Sequence, residues 1–77
     1  MMIVMEKHMV CTSEHHNKFY ILQMIRDGAT YVIKTAWGRI GKTKREQVKY
    51  EGGFQYEARH IFNKVLNTRR EHGYTEV

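Results

Sequence analysis

Proline is absent from this chain of 77 residues, and cysteine occurs once, as Cys11. A lone thiol cannot close an intrachain disulfide or build a cysteine-based zinc site, and it fits a reducing compartment. Cys11 reads as a small strand residue in preference to a reactive thiol. With no proline and no Gly/Ser stretch there is no linker, and neither an internal repeat nor a low-complexity tract is visible. No apolar run approaches the roughly 20 residues of a membrane span. The apolar start, Met1 to Val10, is interrupted by Glu6, Lys7 and His8 and has no basic leader. These absences point to the cytoplasm and away from membranes. Acid is also scarce: 8 Asp and Glu stand against 13 Lys and Arg, a net charge of +5. A positive surface attracts polyanions, of which nucleic acid is the commonest in a cell, although surplus lysines also serve plain solubility. The length allows one domain, residues 1–77, with a thin core and little room for a catalytic cleft.

What is present divides into two regimes. Hydrophobic residues make up 42% of the chain and charged residues 27%, a globular balance. Ile3 to Thr12 reads as a first strand and Ser13 to Asn17 as a loop. From Lys18 to Arg26, Phe19, Ile21 and Ile25 share one parity while Tyr20, Leu22 and Met24 share the other. Both faces are apolar, which predicts a central strand covered on more than one side. Asp27-Gly28 predicts a type I′ hairpin leading into a return strand, Tyr31 to Ile40. Gly41 to Lys44 is a second turn, Arg45 to Tyr50 a polar edge strand, and Gly52-Gly53 a break. The period then changes. Phe54, Ala58, Ile61, Phe62, Val65 and Leu66 recur at helical spacing, predicting a helix from about Gln55 to about His72 that ends at Gly73. The expected class is α+β: a small antiparallel sheet of about four strands with one long C-terminal helix on a face.

Chemistry is sparse. Ala36 to Thr43 satisfies the loose pattern of a nucleotide-phosphate loop, but that chemistry needs a helix opening straight after it. The alternating segment Arg45 to Tyr50 offers none, so the match reads as chance. His15 and His16 are adjacent and His60 is remote, so no metal set is placed by spacing, and no cofactor is expected. No carboxylate pair suits acid–base work, so an enzyme is not expected. The segment from Lys34 to Lys49 is different. It carries Lys34, Arg39, Lys42, Lys44, Arg45 and Lys49 against one acid, Glu46, and it holds the only tryptophan. Cations meet phosphates and an aromatic ring stacks on a base or sugar, which is what nucleic acid requires. Trp37 and Arg39 share a parity and leave one face together. The residues alone leave Trp37 open as either contact surface or core.

At Trp37-Gly38-Arg39 the chain resembles the WGR domain family. The resemblance extends to Asn17-Lys18-Phe19-Tyr20 upstream and to Ile40-Gly41 after the triplet. It continues through Glu57-Ala58 and Phe62 and ends on Gly73-Tyr74-Thr75-Glu76-Val77. The family fold is a small antiparallel sheet with one helix. In the DNA-dependent poly(ADP-ribose) polymerases this domain contacts DNA at a strand break and touches neighbouring domains. By resemblance, Trp37 packs on sugar or base at a DNA end and Arg39 meets the backbone. Asn17, Lys18 and, in the helix end, Arg69 fall where the family also makes DNA contacts. After the triplet the family often has Gly-Gln. Here Lys42-Thr43-Lys44-Arg45 is more basic, which adds Lys42, Lys44 and Arg45 as phosphate contacts. The chain has no room for a polymerase domain and looks most like compact members that stand alone. The expectation is a monomeric module for duplex DNA ends or nicks, with RNA not separated from DNA by these residues. The alternative is a protein-interaction module using the same basic surface.

Overall fold

The computed structural model describes residues 1–77. Four strands follow one another: β1 (Met2–Thr12), β2 (Asn17–Asp27), β3 (Thr30–Arg39) and β4 (Arg45–Gly52). A helix, α1 (Gln55–Glu71), comes next, and a two-residue strand, β5 (Thr75–Glu76), ends the order. All pairings are antiparallel, and the sheet runs β4-β3-β2-β1-β5. The α+β class and the single C-terminal helix match the sequence reading. The strand number does not: there are five strands instead of about four. A two-residue strand is too short to show alternation. β5 exists because the tail folds back to pair Thr75 with Val10 and Glu76 with Met9.

The β2–β3 hairpin also differs in detail. Asp27 pairs with Thr30, so Gly28-Ala29 is the turn, and only Gly28 has a positive φ, +63°. That is the pattern of a type II′ turn, which wants glycine first, and not of type I′, which needs both residues there.

Alternation sorts the sheet into two faces. Tyr20, Leu22 and Met24 of β2 lie opposite Trp37, Thr35 and Ile33 of β3, and this face carries the helix. Helix α1 lies across β2, β3 and β4 and inserts Ala58, Phe62 and Leu66, with Phe62 fully buried. Met9 and Tyr74 close the core over β1. The opposite face, with Phe19, Ile21, Ile25, Val32 and Ala36, has no element packed on it. The expectation of a central strand covered on both sides therefore fails. Its apolar second face is shielded by its own neighbouring side chains and, at one end, by the turn after β3, which leaves Ile25 and Ala36 buried and Phe19, Ile21 and Val32 half-buried.

Helix α1 ends in a Schellman motif. The Tyr74 N–H donates to the Arg69 carbonyl at 3.0 Å and the Gly73 N–H to that of Arg70 at 3.1 Å. Gly73 has φ +89°, a conformation that side chains resist. The motif turns the chain back so that Tyr74 is buried beneath Arg69. The tail is then tied down. The Val77 N–H donates to the His8 carbonyl, and the Glu76 carboxylate accepts from Arg70 Nη2 at 2.8 Å and lies 3.0 Å from Lys7 Nζ.

The molecule measures 43 × 24 × 17 Å. The long axis follows the strands, since eleven residues extend about 36 Å. One end carries the β2–β3 turn and the helix start. The other carries Asn17, Arg39 and the helix end.

Candidate nucleic-acid interface

The candidate residues gather mostly at that second end. Cross-strand register sets them out: Lys18 lies opposite Arg39, Tyr20 opposite Trp37, and Trp37 opposite Arg45. Directly paired residues leave the same side of a sheet, so Lys18, Trp37, Arg39 and Arg45 all project from the helix-bearing face. Asn17 accepts the Ile40 N–H on its carbonyl at 2.9 Å, and the Lys42 N–H donates to the Arg39 carbonyl at 3.0 Å. These bonds close a shallow depression of about 270 Å³ lined by Asn17, Arg39, Ile40 and Lys42. Arg39, Lys42 and Arg45 are exposed and have no acidic partner.

Trp37 is half-buried. Its ring stacks on Tyr20 with centroids 6.2 Å apart and planes inclined by 21°. Tyr20 in turn meets Tyr74 edge-on at 5.9 Å. The Arg69 guanidinium lies 5.1 Å from the Tyr20 ring centre and 5.8 Å from that of Tyr74. The two alternatives left open for Trp37 thus merge: one side packs against the core and the other remains accessible. Arg69 reaches this end from the helix and has no carboxylate beside it, and its Nε is buried without an acceptor. Around these groups is a cavity of about 160 Å³ lined by Tyr20, Trp37, Gln47, Lys49, Arg69 and Tyr74.

Lys44 stands apart. A Cβ on Gly38 would come within 3.1 Å of the Thr43 carbonyl oxygen and 3.4 Å of the Lys44 Cα. Gly38 has no side chain because the turn after β3 folds closely over that side of the sheet, the side away from α1. There Lys44 Nζ lies 3.5 Å from Glu46, which also faces Lys34 at 3.8 Å. Lys44 is therefore not brought together with the Trp37 group, and Glu46 partly neutralises it. The Gly41-Lys42-Thr43 run leads into β4 and not into a helix, so its amides form no phosphate cradle of the nucleotide-loop kind.

Several residues beside the site were not singled out from the sequence. Tyr20 read as core, Tyr74 as part of a terminal motif, and Gln47 and Lys64 not at all. Lys49 owes its place to a β-bulge. Ile33 pairs with Tyr50 but Lys34 with Val48, so Lys49 is the extra residue. The bulge lets Lys49 and Tyr50 both turn toward the helix. Lys49 lines the cavity, while Tyr50 packs against the core and donates to Glu57 Oε1 at 3.1 Å. That bond, with local desolvation as the larger cause, raises the Tyr50 hydroxyl above the ordinary phenol range.

Compared with known protein families, the chain matches the WGR domain over residues 4–77. No curated protein and no solved structure matches it.

Proposed function

We infer that this chain, which belongs to the WGR domain family, is a nucleic-acid-binding module that grips the end or nick of a duplex DNA with the end of its sheet that lies beside the C-terminus of α1. The observation that carries this reading is the placement of Lys18, Trp37, Arg39 and Arg45 on one face at one end of the sheet, beside Arg69. A half-exposed tryptophan among cations without acidic partners suits a terminal sugar or base bounded by phosphates. Trp37 stacks against the end, and Arg39, Lys18 and Arg45 meet the backbone. Asn17 and Lys42 border the adjoining depression and set the register of the phosphates. The apolar stripe of α1 is committed to the core, so no helix is free to read bases in a groove. Affinity then comes from backbone charge and end geometry. The role is binding and not catalysis.

The test is fluorescence polarisation with a short blunt duplex at two salt concentrations, with closed circular DNA as competitor. Salt-sensitive binding that the circle competes poorly is the expected result. Equal competition by the circle removes the preference for ends and leaves a general duplex binder. The uncovered apolar sheet face favours a second reading, a protein-interaction module. Absence of duplex binding even at low salt moves the assignment to that reading.

A further inference from the structure

The cavity beside Trp37 does not end at Arg69. It adjoins a second depression of about 310 Å³ lined by Tyr20, Lys49, Lys64, Val65, Thr68 and Arg69. The two share Tyr20, Lys49 and Arg69, so they form one continuous seam between β4 and α1. Because β4 is the outermost strand of the sheet, the seam is open along its length. No acidic residue lines either part, and none of Lys49, Lys64 and Arg69 has an ion-pair partner. Thr68 spends its hydroxyl on the Lys64 carbonyl inside the helix, which leaves the lysine ammonium as the polar group offered there.

We propose that this seam is a track for a single-stranded extension leaving the bound duplex end, with Arg69, Lys49 and Lys64 holding successive phosphates. The inference rests on the duplex-end reading above. Three features carry it. Small-molecule pockets run from roughly 300 to 1,000 Å³, so a depression of this volume is on the scale of one nucleotide and too small for a base pair with both backbones. Lys64 precedes Arg69 by five residues, about 7.5 Å along the helix axis, and both side chains reach the same depression, so it presents two separated cations along one wall. The seam also begins at the Tyr20–Trp37 stack, so an unpaired base next to the duplex end meets aromatic rings while its phosphate meets cations. That pairing of aromatic platform and electrostatic groove is how proteins hold single strands without reading their sequence.

The test compares three duplexes of the same paired sequence: blunt, with a short 3′ extension of thymidines, and with the same extension at 5′. Each is titrated against the wild-type protein and a Lys49→Gln/Lys64→Gln double variant, with a urea midpoint confirming that the variant is folded. One of the extended duplexes should bind about tenfold more tightly than the blunt one, a gain carried by the added phosphate contacts of Lys49, Lys64 and Arg69. Its salt dependence should be steeper by about 2, from three single-strand phosphates at roughly 0.7 each. In the double variant the ratio of extended to blunt affinity should fall toward one. Equal binding of blunt and extended duplexes by the wild type overturns the track while leaving the end-binding reading intact. An extension advantage that survives in the folded double variant also overturns it. Failure of the blunt duplex to bind at all is the separate outcome that removes the underlying function, and the track with it.

Discussion

At the scale of single residues, the binding tip mixes side chains whose loss has different consequences. Arg39 is exposed and makes no contact on which folding depends. Arg39→Ala should leave stability within about 0.5 kcal/mol while reducing the salt slope of DNA binding by about 0.9, one duplex phosphate contact. Trp37 has a foot on each side. Trp37→Ala should cost about 2 kcal/mol in urea unfolding, less than the roughly 3–5 of a fully buried aromatic, and it should weaken binding as well. A wild-type urea midpoint would sink the packing role. Gly38 is the silent member of the triplet. Gly38→Ala brings a methyl to 3.1 Å from the Thr43 carbonyl oxygen, so the backbone of the turn must give by a few tenths of an ångström. It should lower stability by about 1–3 kcal/mol, read as a drop in the thermal midpoint. The middle glycine thus serves the turn on one face, while its two neighbours serve the other.

At the scale of elements, legibility followed periodicity. Strands β1 to β4 and the stripe Ala58, Phe62 and Leu66 have enough residues for alternation or helical spacing to show. Lys18, Trp37 and Arg39 could be grouped because strand parity and the triplet reveal a shared face. β5 could not be seen, because two residues have no period. The Tyr20–Trp37–Tyr74–Arg69 cluster joins residues from β2, β3, the tail and α1, and only the sheet register and the Schellman turn bring them together. Lys44 shows the converse: charge density along the chain suggests one patch, whereas the turn places that lysine beside Glu46, apart from the Trp37 group. The helix terminus gives a prediction at this scale. Gly73→Ala should cost about 1–2 kcal/mol, because a residue with Cβ must adopt φ near +89° or lose the cap. If it loses the cap, Tyr74 leaves its place under Arg69, so the Tyr74 ring resonances should shift together with those of Tyr20. A Gly73→Ala protein with both sets unmoved would mean that the cap does not position the cluster.

At the scale of the whole molecule, the tail and the sheet are coupled through charge. The Arg70 hydrogen bond, assisted by Lys7, holds the Glu76 carboxyl below the usual carboxylate range. Its folded pKa is depressed, so its contribution is fully present above the unfolded value and is lost as pH falls through the folded one. The protection of the Val77 and Thr75 amides, measured against their intrinsic exchange rates, should fall in mild acid before the strands of the meander open, and Glu76→Gln should remove that loss. Unchanged protection across the same range would show that backbone pairing alone secures the tail. The order of the strands has a further consequence, in time. Through β4 every strand pairs with its predecessor across turns at 13–16, 28–29 and 40–44, so the first two-thirds of the chain closes only short loops. The helix and tail must then cross back over a sheet already in place. Local pairing of this kind favours rapid folding, with the helix docking late. Stopped-flow measurements on Phe62→Ala should therefore show a much faster unfolding rate and a refolding rate little changed, so that the docked helix governs how long the finished molecule persists more than how quickly it forms.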